Sequence, residues 1–281
     1  KTDNILSNLS EDHYMCDCAK KQLELLKSDR FDIDDTSAIN WVNNTTDDNL
    51  KQNKTSRVAS LKNKHLFVAT DERTGRIFTN FTSLKRELRV YCTIDGEKLK
   101  SVDLKSAQPI LLGNYLRNQN INHPELDKLF EILDNDIYDY FLKRFILLND
   151  SNSYRTFDIV TNKMVTATIK DREDSKMEMC KFMFKTTNRG TISEYEKIFK
   201  LDFPFLYEYI KKLRETQPIW LMLQKMEAEI FIPVVKKFVN RGCLSLHDGI
   251  YFKSELRDEI IKELETSLDK HNIIGYQLKE K

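Results

Sequence analysis

No apolar run approaches the length of about eighteen residues that a membrane-spanning helix needs. The N-terminus lacks the basic, apolar and small-residue order of a secretory signal. Together these absences point to a cytoplasmic protein with no membrane partner. Cysteine is scarce and odd in number: the five residues Cys16, Cys18, Cys92, Cys180 and Cys243 form neither a disulfide framework nor paired zinc knuckles. There are only five histidines, and His13, His65, His123 and His271 sit among polar neighbours, as surface or satisfied side chains do. The net charge is +1, so overall charge selects no class of partner. Internal repeats and low-complexity tracts are absent as well.

What is present is an ordinary globular composition, 40% hydrophobic and 32% charged over 281 residues, enough for one large domain or two small ones. The chain opens at Lys1 without a methionine, which leaves room for an additional domain or protein partner. Its charge is segregated. Residues 1–50 carry five Lys/Arg against eleven Asp/Glu, whereas residues 51–105 carry thirteen against six. The basic segment suits either a solvated face or a phosphate-facing surface, and Lys85, Arg86 and Arg89 within it are open to both readings.

Periodicity predicts a helix over 11–27, then a polar loop or linker ending near Gln52, then a helix over 57–66. "DGEKLKSVDL" turns at Asp95-Gly96 into a short strand ending at Asp103. "SAQPILLGNYLRN" begins a helix at once, with Ser106 in the capping position and a proline in the first turn. Helices are expected at 124–134, 136–148, 171–187, 192–200, 204–215, 218–240 and 254–270. A hairpin turns near Thr161-Asn162, and "GYQLKE" closes the chain as a strand. The aromatic series from Phe203 has helical spacing and reads as core. "CLSLHDGIYF", residues 243–252, is a hairpin whose Asp248-Gly249 pair is a strong turn signal.

Asp103 thus ends a strand and Asp248 tips a hairpin. Taken singly, each reads as a helix-starting acid or a good turn. Held side by side, two carboxylates repel unless a hard divalent cation lies between them, and such a pair suits phosphoryl transfer.

The order of motifs resembles the palm and fingers of family A DNA polymerases and the related single-subunit phage-type polymerases, in reduced and divergent form. "VDLKSAQPILL" is similar to their first catalytic motif and "LSLHDGIYF" to their third. That resemblance implies two Mg²⁺ ions, or Mn²⁺, held by Asp103, Asp248 and the Leu104 carbonyl, with His247 at the primer terminus. "DREDSKMEMCKFMFK" resembles the second motif, which would put Arg172 and Lys176 on the triphosphate and Phe184 in the nucleotide pocket. "TGRIF" and "LQKMEAEIF" resemble nucleic-acid-contacting segments, implying that role for Arg76 and Gln224. "NDIYDYF" resembles a segment upstream of the fingers helix.

There are departures. Gln108 replaces the glutamate that excludes ribonucleotides, Phe184 replaces a tyrosine, Lys185 replaces the glycine after it, and Gly249 replaces an acid. There is no room for a nuclease domain.

The expectation is an α+β, right-hand polymerase-like fold with an antiparallel palm sheet. A helical, thumb-like region would occupy 1–70, palm 71–115, helical fingers 116–217 and the second palm segment 218–281. The expected activity is nucleotide transfer from nucleoside triphosphates to a primer-template 3′-hydroxyl. The alternatives are an RNA-synthesising or template-independent enzyme, a non-catalytic nucleic-acid-binding palm module, and a metal-dependent nuclease.

Overall fold

The computed structural model describes residues 16–45, 48–158, 163–186 and 192–281. His13, the start of the first expected helix, the turn at Thr161-Asn162 and the stretch 187–191 lie outside them. The fold is α+β, and every strand pairing among the described residues is antiparallel. Two compact units divide the chain. The first holds the described residues up to Lys105 together with Gln224–His271 and Leu278–Lys281, and the second holds Ser106–Leu223 and Asn272–Gln277.

In the first unit, α1 (Asp17–Lys27) buries Cys18, Ala19, Gln22, Leu25 and Leu26, one stripe of an amphipathic helix. β1 (Phe31–Ile33) follows. The polar passage after it is not a loop: it forms α2 (Asp35–Thr45) and α3 (Asp48–Lys62). The Asp34 carboxylate accepts the Ser37 N–H and starts α2, which then buries only Ala38 and Val42. The helix expected at 57–66 is the last part of α3, which stops at Lys62, and residues 63–66 are not helical.

β2 (Val68–Thr70) and β3 (Ile77–Thr79) form a hairpin around Thr74-Gly75-Arg76. Gly75 has φ +73° and lies where a Cβ would be 3.5 Å from Ala228, so the turn suits glycine. Two short helices, α4 (Asn80–Ser83) and α5 (Arg86–Arg89), lead to β4 (Cys92–Ile94) and β5 (Glu97–Lys98). Asp95 and Gly96 join these strands with φ +54° and +76°, the two positive values that the dipeptide anticipates. β6 (Lys100–Leu104) then carries Asp103.

The second unit opens with α6 (Ala107–Asn118). Ser106 precedes it at φ +52° and its hydroxyl makes no cap, contrary to expectation. Buried Asn114 exchanges hydrogen bonds with the backbone of Ile274 (3.0 and 2.8 Å), which ties residues 272–277 into this unit. α7 (Pro124–Asn135) and α8 (Ile137–Asn149) fall where expected, and the Asp136 side chain between them caps α8. β7 (Ser153–Asp158) pairs with β8 (Lys163–Thr168). α9 (Arg172–Met183) ends four residues short of the expected 187, with Phe184 at its C-cap. α10 (Glu194–Asp202) and α11 (Pro204–Thr216) complete a core in which Phe141, Phe145, Phe182, Tyr195, Phe199 and Phe203 are buried. The Phe203 series is core, as expected, apart from exposed Phe205, which stacks on His123.

α12 (Ile219–Gly242) returns to the first unit at Gln224 and feeds β9 (Cys243–Leu246) and β10 (Gly249–Phe252). α13 (Arg257–Lys270) buries Ile260, Leu264 and Leu268, and β11 (Leu278–Glu280) completes a sheet of order β11-β6-β10-β9. Its last strand, β9, is secured by α1: the Gln22 side-chain oxygen accepts the Ser245 N–H (2.9 Å) and hydroxyl (3.0 Å) in a fully buried position.

Replacing Gln22 with Ala strands the buried Ser245 N–H, a loss of about 1–3 kcal/mol. Urea unfolding of Gln22→Ala should show that loss, with Gln22→Glu as a second probe that keeps the acceptor but buries a charge.

Candidate functional site

Strand register brings Asp103 and Asp248 together. Gly249 is the partner of Asp103 across the β6–β10 pair, and the Leu104 N–H donates to the Asp248 carbonyl at 3.0 Å. The two aspartates, 145 positions apart in sequence, are therefore neighbours at one end of the sheet, both half-buried. Leu104 itself pairs with Leu278 and its side chain is buried.

The hairpin differs from its expected frame by one residue. Gly249 pairs with Leu246, so the two turn residues are His247 and Asp248, with His247 at φ +48°. Gly249 is the first residue of β10 and has no positive φ. Its lack of a side chain serves packing instead: a Cβ there would sit 3.2 Å from the Val102 carbonyl and 3.4 Å from the Asp103 Cβ. Glycine lets the two aspartate-bearing strands approach.

Asp103 does not stand alone. The Lys281 ammonium forms an ion pair with its carboxylate, and Lys281 is fixed by reciprocal backbone hydrogen bonds with Ser101 (2.9 and 3.0 Å). Lys281 was not singled out from the sequence, because nothing in "QLKEK" discloses which strand it lies against.

His247 is half-buried and its ring meets that of Phe78 at 5.6 Å and 60°. Its Nδ1 is buried without a hydrogen-bond partner. Burial first, then the positive charges of Arg76 and Arg89, push its pKa down to about 4, so the imidazole is neutral at pH 7.

Arg76 donates through Nη2 to both oxygens of Glu227 (2.8 Å each), and the Glu227 side chain on α12 is almost wholly buried. Glu227 is a second residue that the sequence reading missed, although it lies one helical turn from half-buried Gln224. Arg89 turns inward: its Nη2 donates to the Leu84 carbonyl (2.6 Å) and its guanidinium lies over the rings of Tyr251 and Phe81. Lys85 and Arg86 are exposed. Of the basic trio, two face solvent and one is built into the structure.

The remaining sequence candidates belong to the second unit. Arg172, at the first position of α9, pairs with Asp136 (2.6 Å) and lies over the Tyr138 ring at 4.9 Å. Lys176, one turn on, is exposed, as is Phe184 at the C-cap. Lys185 binds Glu196 (2.9 Å), which also receives Arg214 (2.8 Å) in a buried cluster. Gln108 is half-buried in the first turn of α6.

The histidine makes the site's pH response distinctive. In the unfolded chain His247 takes up a proton near pH 6.5, in the folded one near 4. Between those values the unfolded state binds more protons, so stability is unaffected above pH 6.5 and falls as the pH drops through this window. The full effect is on the order of 3 kcal/mol by pH 4. His247→Asn, whose side chain tolerates positive φ, should lose that part of the slope when urea unfolding is repeated from pH 7 to 4.

No protein-family model matches the chain, and no curated protein matches it either.

Proposed function

We propose that this chain is a template-directed nucleotidyltransferase, most simply a small DNA polymerase without an exonuclease. The four-stranded sheet would serve as its palm and the helical second unit as its fingers. The observation that carries the reading is the β6–β10 register, which makes neighbours of Asp103 and Asp248. It is supported by the order of the motifs along the chain and by a neutral His247 with an unpartnered Nδ1 next to Asp248.

The oxygen donors suit Mg²⁺, which commonly takes one or two carboxylates and completes its shell with water and substrate phosphates. Among the described residues no group of three or more His, Cys, Asp or Glu is placed to hold a metal ion. Asp103, Asp248 and the Leu104 carbonyl would hold the ions, which when bound neutralise charge on the transferring phosphoryl group.

In the proposed reaction a primer 3′-hydroxyl attacks the α-phosphate of a nucleoside triphosphate and pyrophosphate leaves. His247 orients the primer end as a neutral hydrogen-bonding group. Arg172 and Lys176 bind the triphosphate, Arg172 by exchanging Asp136 for phosphate oxygens; Phe184 and Gln108 bear on the base and sugar. Gln224, Lys85 and Arg86 contribute to the nucleic-acid surface, while Arg76 and Arg89 are held behind it by Glu227 and the Leu84 carbonyl. Gln108 makes ribonucleotide use, and hence RNA synthesis, a companion form of the same proposal.

One observation favours a second reading. A sheet whose Asp103 is neutralised by Lys281 has its charge balanced without a metal, as a non-catalytic nucleic-acid-binding module would.

Primer extension with Mg²⁺ and either dNTPs or NTPs separates the two. Asp103→Ala and Asp248→Ala should each abolish extension while leaving primer-template binding largely intact; binding without extension by the unaltered protein would establish the module. A companion measurement is Mn²⁺ affinity by electron paramagnetic resonance. An exposed ion pair contributes up to about 1 kcal/mol, so Lys281→Gln should tighten Mn²⁺ binding by up to about fivefold. Unchanged affinity would show that the ammonium does not compete.

A further inference from the structure

We propose that Phe78 is a stacking platform for the terminal nucleobase of the strand seated at His247, an inference that rests on the nucleic-acid reading above. β3 alternates buried, exposed, buried, and Phe78 is the exposed member at 36%. Among the described residues of the first unit, every other Phe, Tyr and Trp is buried or half-buried. Phe78 is not drawn into the core. It is instead held at the surface, directly beside the hairpin that presents Asp248.

Its surroundings have the chemistry of a nucleic-acid contact. The Phe78 and His247 rings meet at 60° rather than stacking, so neither is capped by the other. Arg76 lies two residues earlier in the chain, its guanidinium held by Glu227, and the exposed cations Lys85 and Arg86 follow a few residues later. Aromatic faces interleaved with cations are what a single-stranded end uses, because every base has a π-face whatever its identity. The half-buried His247 ring stands 5.6 Å from that of Phe78, beside the place where a base would lie. Phe78 would therefore fix the plane of the terminal base while His247 fixes the sugar end.

The test is fluorescence anisotropy with labelled primer-templates carrying DNA or RNA primers, each made with a normal or an abasic 3′-terminal residue. Stacking on one aromatic side chain corresponds to a roughly tenfold effect on affinity. Phe78→Ala should therefore bind the intact ends about tenfold more weakly, Phe78→Trp should bind them as well as the unaltered protein, and Val90→Ala, at an exposed site, should change nothing. The abasic ends should bind the unaltered protein and Phe78→Ala alike. Equal binding of intact ends by Phe78→Ala overturns the platform alone. So does an equal loss on intact and abasic ends, which would mark Phe78 as structural. Failure of the unaltered protein to bind any of these substrates would overturn the nucleic-acid reading together with the platform.

Discussion

The approach of β10 to β6 at Gly249 is the constraint on which the rest of the site depends. A Cβ there would crowd the Val102 carbonyl and Asp103, so the close approach favours glycine, and the backbone hydrogen bond from Leu104 to Asp248 then fixes the register. A slip of one residue would turn every side chain of β10 to the other face. Ile250 and Phe252, now fully buried, would leave the core. Hydrophobic burial and the pairing of the two aspartates are thus enforced by the same hydrogen bonds.

Electrostatic compensation is the second theme. Many of the charged groups of interest already have partners: Asp103 with Lys281, Arg76 with Glu227, Arg172 with Asp136, Lys185 and Arg214 with Glu196. The pairs differ in character. Arg214 and Glu196 are both buried, and removing Glu196 would leave the Arg214 guanidinium uncompensated in the core, a loss of about 3–5 kcal/mol. Arg172 is 41% exposed and its pair is weak by comparison, so exchange of Asp136 for another anion is inexpensive. Structural and exchangeable cations can therefore be told apart by burial.

Parts of this arrangement are legible in the sequence. α7 and α8 carry strong apolar stripes, a proline at the start of one and a capping aspartate at the start of the other, so local and tertiary preferences agree. Asp95-Gly96 forms the turn that its residues demand. The same logic misplaces the other turn, because Gly249 is selected by a neighbouring strand rather than by its own dihedral angles. α2 was illegible for a different reason: eleven residues that bury only Ala38 and Val42 show no stripe, and their helical state comes from a cap and a few tertiary contacts. The neighbourhood of Asp103 and Asp248 could be anticipated from motif order, whereas Lys281, Glu227 and Gln22 act across long separations that local patterns do not record.

The clamp of Gln22 on Ser245 has one more consequence, for association between molecules. A sheet normally offers its outer strands as templates on which other chains can add. Here one outer strand, β9, has its Ser245 N–H taken by a buried glutamine, and the other, β11, is three residues long and continues into Lys281, with Lys279, Glu280 and Lys281 exposed. Both margins of the sheet are poor templates for edge-to-edge growth, so the sheet can expose its acidic end to solvent without inviting aggregation.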